Sequence, residues 1–423
     1  MREKEALEYL NSFDLFKVDL RLDRIQQFLE FSGNSQQKFR SVIVAGTNGK
    51  GSVSAFLAGI LNAAGKKTGL YLSPHVRSLN ERIQVNGEKI SGRELAGLVE
   101  KLKKAKEESK SDVSYFEFLT ALAFAHFAEK GCEIAVLEVG MGGRLDATNV
   151  ANAELSIITN VALEHTQHLG SSLALIAAEK AGVIKRNAKV VTGELAPEAR
   201  AVVEKTAAEK NAGVIALGKD FSFSERHSVL DGQEFDFFRG EKKIPGLKTR
   251  LVGKNQFKNA ALAVAAALEL GIKEECIHNG LLNAELPARF EVFSKSPLAI
   301  LDVAHNPEGM RSLAENLRMF FPVKKVNFVL GVSGDKDIKG ILAELVPLAG
   351  SFILTKAKFR GMDTEKISVA LGESGFEGGI RAKESVPAAV RLALAEARSG
   401  IPTVFTGSFF SVGEALRELE RVK

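Results

Sequence analysis

"VAGTNGKGS", Val44 to Ser52, stands between the apolar run Val42-Ile43-Val44 and the stretch "VSAFLAGILNAAG", Val53 to Gly65. A buried strand, a glycine-rich loop and a helix in that order suit a phosphate, yet the usual pattern G-x-x-x-x-G-K-[ST] fails at both ends. Its first glycine would fall on Val44, and Gly51 intervenes between Lys50 and Ser52. The physics of phosphate binding survives the departure. Gly46, Gly49 and Gly51 let backbone N–H groups turn inward, and the following helix aims its positive end at the same spot. Lys50 adds a mobile cation and Ser52 a hydroxyl suited to Mg²⁺. A plain glycine turn gives no reason for the lysine and the serine.

The rhythm of that unit repeats along the chain. Apolar, β-branched runs read as strands: "SVIVAG", "KKTGLYLS", "EIAVLEVG", "LSIITN", "AKVVTG", "LAILDVA", "VNFVLGV", "SFILTKA" and "TVFTGS". Helical stretches such as "FEFLTALAFAHFAEKG" and "AALAVAAALELG" separate them and end at glycine, a frequent C-cap. Near-continuous apolar strands alternating with helices imply parallel sheets covered on both faces, an α/β fold. From Lys219 to Arg250 turn dipeptides and alternation predict a small antiparallel β insertion. The stretch "LNAELPARFEVFSKSP" near Leu282–Pro297 is a poor helix and a poor strand. The expected division is therefore 1–288 as one α/β domain, 289–297 as linker and 298–423 as a second, smaller one.

At 423 residues the chain is long enough for two or three domains. Basic residues outnumber acidic ones by only 57 to 52, too scattered an excess for a nucleic-acid surface. "KLKKAKEESK", Lys101–Lys110, mixes both signs as a solvated helix face does. Cys132 and Cys276 lie far apart, which fits a reducing compartment and no cysteine zinc site. The start "MREKEALEYL" has no apolar signal core, and no apolar run nears the roughly 18 residues of a membrane span. The expectation is a cytoplasmic protein without membrane or nucleic-acid partners.

In open α/β sheets ligands sit beyond the carboxyl ends of the strands. Those ends read "AGTNGKGS", "LSPH", "LEVGMGGRLDATN", "ITNVALEH", "LDVAHN", "LGVSGDKD" and "FTGSFF". Glu138 closes a buried strand, an unusual place for a charge unless it faces a ligand. Ser73 precedes a proline and by itself reads as a turn residue. His165 alone reads as a packing or capping histidine, since Mg²⁺ prefers oxygen. Arg144 and Asp146 in "GGRLDATN" suit a polar substrate, and Asp302 either meets a ribose hydroxyl or caps the next helix.

Taken together these segments resemble the Mur ligase superfamily, and within it the dihydrofolate and folylpolyglutamate synthases. The similarity runs through "GLYLSPHVRSLNERIQVNG", "YFEFLTALAF", "EVGMGGRLDATN", "ITNVALEHTQHLG", "AAEKAGVIK", "GKNQFKNAALA", "LPARFEV", "LDVAHNPEG", "GVSGDKD" and "TGSFFSVGEAL". The resemblance implies that 1–288 is a P-loop ATPase-like, Mur ligase-like domain and 298–423 a smaller Rossmann-like domain, with catalysis in the cleft between them. It implies that Gly46, Thr47, Asn48, Gly49, Lys50, Gly51 and Ser52, with Asn259, Arg289 and Asp302, hold ATP. Ser52, Ser73, Glu138 and His165 would hold Mg²⁺, with room for K⁺ or another monovalent cation. Lys50, Lys180 and His305 would serve catalysis, Lys180 as a carbamate formed with CO₂. Ser114, Tyr115, Phe116 and Glu117, with Leu145, Asp146 and Ala147, match stretches that bind the pterin end. The chain departs from the family at Glu164, where aspartate is usual, at Asn255, where histidine is usual, and in "LPARFE", which lacks a common tryptophan and glycine.

The implied reaction is ATP-dependent joining of L-glutamate to dihydropteroate and to folates by a monomeric ligase. "GGRLDATN" resembles bacterial bifunctional enzymes. The alternatives are a synthase with one of the two activities, or an ATP- or folate-binding protein on the same fold.

Overall fold

The computed structural model describes residues 1–14, 21–322, 325–397 and 400–422. Its first sheet is built from β1 (Arg40–Ala45), β2 (Thr68–Tyr71), β3 (Ile83–Val85), β4 (Glu88–Lys89), β5 (Ile134–Glu138), β6 (Leu155–Ile158), β7 (Lys189–Thr192) and β8 (Gly213–Ala216). The order is β4-β3-β2-β5-β1-β6-β7-β8, parallel except for β3 and β4. β1 lies inside, between β5 and β6, and only its first residue is exposed. Such a strand must be apolar on both faces, which is why "SVIVA" shows no alternation.

The apolar helix Lys50–Ala63 covers one face, packed by helices Lys254–Glu269 and Glu274–Leu282 into one core. On the other face helix Tyr115–Lys130 anchors a second core with Phe118, Phe124 and Phe127. The expected insertion is present as β9 (Ser222–Val229), β10 (Gly232–Arg239) and β11 (Lys242–Thr249), an antiparallel meander.

The last sheet comprises β12 (Glu291–Lys295), β13 (Leu298–Leu301), β14 (Val326–Leu330), β15 (Ala349–Thr355), β16 (Gly379–Lys383) and β17 (Thr403–Thr406), in the order β12-β13-β17-β14-β15-β16. The stretch 289–297, expected as linker and read as a poor strand, carries β12. This strand pairs antiparallel with β13 at the sheet edge and is bulged between Val292 and Ser294, so its side chains lose the clean alternation of a strand. The other pairings in this sheet are parallel. Both large sheets turn carboxyl ends toward a shared cleft of about 860 Å³, ample for a nucleotide and a second substrate.

Candidate active site

The phosphate loop leaves β1 at Ala45 and enters helix Lys50–Ala63. Gly49 caps that helix at φ +83°, and a Cβ there would lie 2.5 Å from Asn259 Oδ1. Conformation and space both demand glycine. Asn160, just beyond β6, accepts the Thr47 and Asn48 N–H groups on Oδ1 at 3.1 and 2.9 Å. Thr159 Oγ1 donates to Asn48 O at 2.6 Å. Lys50 Nζ donates to Gly46 O and Thr47 O, both at 3.0 Å, which holds the ammonium against the loop.

Glu138, at the end of β5, is buried and accepts the Ser73 N–H on Oε2 at 2.9 Å. Burial raises its pKa, opposed by the more distant charges of Lys50 and Arg289 and by the Ser73 N–H. No cation lies within ion-pair range of it among the described residues. A buried carboxylate without an ion-pair partner, in a cleft also lined by Ser52 and Ser73, is an oxygen donor set that fits Mg²⁺. His165 lines the same cleft from a left-handed turn at φ +51°. Burial and nearby lysines lower it to about 4 against the pull of Glu164, so the ring is neutral and able to ligate. Among the described residues no three His, Cys, Asp or Glu side chains form a cage by themselves, so any metal here leans on the serines.

Lys180, on helix Leu173–Ala181, is 3% exposed and lies just behind the cleft lining. Burial, reinforced by Lys50, lowers it to about 7.

The second sheet supplies the facing wall. Asp302 follows β13 and accepts Phe290 N–H and Ala304 N–H at 2.9 and 2.8 Å; burial raises its pKa. Arg289 places its guanidinium 5.1 Å from the centroid of Phe409 and within charge range of Asp302 and Glu138. His305 Nδ1 is 3.0 Å from Val303 O, and a carbonyl can only accept, so Nδ1 carries the proton. Its Nε2 then faces Glu164 Oε1 at 3.4 Å. Asn259, on helix Lys254–Glu269, donates to Gln256 Oε1 at 3.0 Å and closes over Gly49.

Residues 44–267 match the family model of the Mur ligase middle domain, and residues 288–409 that of the Mur ligase glutamate ligase domain. The folylpolyglutamate synthase of Lacticaseibacillus casei is 34% identical over 99% of this chain and 98% of its own length. The chain belongs to the folylpolyglutamate synthase family of Mur ligases. Among solved structures, E. coli FolC in complex with DHPP and ADP superposes with a TM-score of 0.90 at 31% identity, covering 100% of this chain and 98% of that one. Mycobacterium tuberculosis folylpolyglutamate synthase complexed with ADP gives 0.91 at 32% identity, over 99% and 98% of the two chains.

In this Mur ligase the expected pterin-binding residues sit behind the cleft wall. Ser114 caps helix Tyr115–Lys130 in a reciprocal box with Glu117, and Glu117 pairs with buried Arg24 at 2.8 Å. Asp146 accepts from Gly140 N, Met141 N and Thr148, so it braces the loop whose Gly140 and Met141 do line the cleft. Phe116 packs under Gly140, and Leu145 and Ala147 flank Asp146 in the same turn.

Four cleft residues carried no role in the sequence reading: Asn160, Glu164, Glu308 and Lys336. Burial would raise the Glu164 carboxyl, but its bond and charge with His305, together with Lys50, hold it well below the ordinary range. Lys336 lies 3.6 Å from it and Asn306 Nδ2 donates to it at 3.1 Å. Asn160, Glu164 and Lys336 each follow a parallel strand's carboxyl end, a positional signal that would have found them, whereas Glu308 lies in the first turn of helix Pro307–Phe320.

Proposed function

We propose that this chain is an ATP-dependent amide ligase that adds L-glutamate to dihydropteroate and to the γ-carboxyl of folylglutamates. The observation that carries this reading is the meeting of the Lys50 loop, from one sheet, with Arg289, Asp302 and His305, from the other, across one cleft. Relatives of full-length similarity are named dihydrofolate synthase/folylpolyglutamate synthase, including that of E. coli at 32% identity.

The acceptor carboxylate attacks the γ-phosphorus of ATP; the bond to ADP breaks and an acyl phosphate forms. The glutamate amine then attacks the acyl carbon, loses its proton, and the tetrahedral intermediate expels phosphate. Lys50 and the loop N–H groups of residues 46–52 neutralise and align the phosphates, and Arg289 offsets charge from the opposite wall. Asn259 and Asp302 orient the nucleotide, and His305, its Nε2 toward Glu164, stands near the phosphates. When bound, Mg²⁺ would be held by Ser52, Ser73, Glu138 and His165 and would supply positive charge to the phosphate oxygens. Lys180, with a pKa of about 7, is partly unprotonated at neutral pH and able to attack CO₂; the new N–C bond releases a proton and leaves a carbamate. The stretches 114–117 and 145–147 support the pterin pocket from behind. The working unit is a cytoplasmic monomer divided near 289–297. Among the described residues no helix is long and apolar enough to cross a membrane.

Mass spectrometry of products from purified protein with Mg-ATP and glutamate tests this reading. Dihydropteroate and tetrahydrofolate are supplied in separate tubes. A gain of one glutamate in both is expected; no gain in either, with folded protein, overturns the proposal.

A further inference from the structure

Arg82 belongs to the stretch "GLYLSPHVRSLNERIQVNG" and has no part in the site described so far. It ends the short 3-10 helix Leu79–Arg82 that leads into β3, and it is 9% exposed. Its Nε–H donates to His75 Nδ1 at 3.0 Å, and it has no ion pair with a carboxylate among the described residues. The adjacent acid does not serve it: Glu81 accepts Val76 N–H and Arg77 N–H, both at 3.0 Å, and faces Lys89 at 3.4 Å. A guanidinium carries five N–H donors, so four remain on its two Nη nitrogens. A charge buried without a counterion is costly unless a ligand completes it.

The position narrows the ligand. The guanidinium lies 6.0 Å from the Tyr115 ring centroid and within charge range of Glu138 and Tyr71. It therefore stands between the cleft wall at Ser73–Glu138 and the start of helix Tyr115–Lys130. We propose that the Nη pair of Arg82 binds the carboxylate of the pterin-bearing acceptor, as a two-pronged site that orients this group toward the phosphate loop. Planar donor pairs match carboxylates in this way. His75, accepting the Nε–H on its Nδ1, fixes the fork so that both Nη prongs stay free. The inference rests on the acceptor class named under the proposed function.

The test compares binding of dihydropteroate with binding of the same molecule lacking its carboxylate, by calorimetry. Wild-type, Arg82→Ala and Arg82→Lys proteins are used, each checked for fold by circular dichroism and for ADP affinity. The wild type is expected to prefer the carboxylate at least tenfold. Arg82→Ala should lose that preference, Arg82→Lys should keep part of it, and ADP affinity should not change. A preference that persists undiminished in folded Arg82→Ala or Arg82→Lys protein overturns the proposal. A raised KM for glutamate with the acceptor preference intact also overturns it and moves the arginine to the amino-acid side. If the wild type binds neither pterin compound, the acceptor class itself is wrong, a failure separable from that of Arg82.

Discussion

Asn48 Nδ2 donates a hydrogen bond of 2.6 Å to Glu308 Oε2, so an acid in the first turn of helix Pro307–Phe320 grips the phosphate loop of the other sheet. Its second oxygen accepts from Asn160 Nδ2 at 3.1 Å, and Asn160 is the residue that holds the loop N–H groups. Hydrogen bonds to a charged partner contribute about 1.5–3 kcal/mol. Glu308→Ala should therefore lower kcat/KM for ATP roughly tenfold or more, and Glu308→Gln, which keeps one acceptor, by less. Steady-state kinetics with varied ATP checks it; an unchanged kcat/KM in Glu308→Ala means that the grip has no kinetic role.

Lys50→Ala should abolish ligation while leaving the fold intact, because Lys50 touches only loop carbonyls. Glutamate incorporation measured beside a thermal melt decides the point. Residual ligation by folded protein removes Lys50 from the reaction.

Lys180 makes stability depend on pH in a definite direction. Its folded pKa of about 7 lies below the unfolded value near ~10.4, so between these limits the unfolded state binds more protons and stability rises with pH. Lys180→Met should stabilise the protein at pH 6, on the order of a few kcal/mol, and the gain should shrink toward pH 10. Urea melts in CO₂-depleted buffer at the two pH values read this out, and a pH-independent difference contradicts it. In activity assays Lys180→Ala should lose ligation, partly restored by added short carboxylates.

Gly49→Ala should damage nucleotide binding more than its size suggests. The added Cβ meets Asn259, and φ +83° strains any L side chain. A weakened ADP affinity with an unaltered circular dichroism spectrum is the expected pair of results.

The Arg24–Glu117 pair, at 2.8 Å and with both side chains under a tenth exposed, separates structural from substrate roles. Arg24→Ala strands a buried carboxylate and should cost about 3–5 kcal/mol in urea melts. A loss of acceptor affinity without loss of stability would instead make Glu117 a direct substrate contact.

The interior strands of both sheets were legible because burial on two faces writes an uninterrupted apolar run. β8, β12 and β16 were not, since they lie at sheet edges; in β16 every residue but the half-buried Ile380 is exposed. The loop at Val44–Ser52 and the acids Glu138 and Asp302 could be picked out by one positional rule, the strand's carboxyl end. Glu308 could not: an acid in a helix's first turn is locally sufficient as a dipole partner. Its pairing with Asn48, 260 residues away, exists only once the two sheets meet.

The C-terminal sheet also reaches across by a second helix, Phe409–Val422. Arg417 Nη1 donates to Arg77 O at 2.9 Å, and Glu420 pairs with Arg77 at 3.0 Å. That segment joins Ser73 and His75 to Arg82. The loop from Ser73 to Arg82 is therefore held from two sides, by its own sheet and by the last helix of the other, so the placement of Ser73 and Arg82 depends on both halves of the chain.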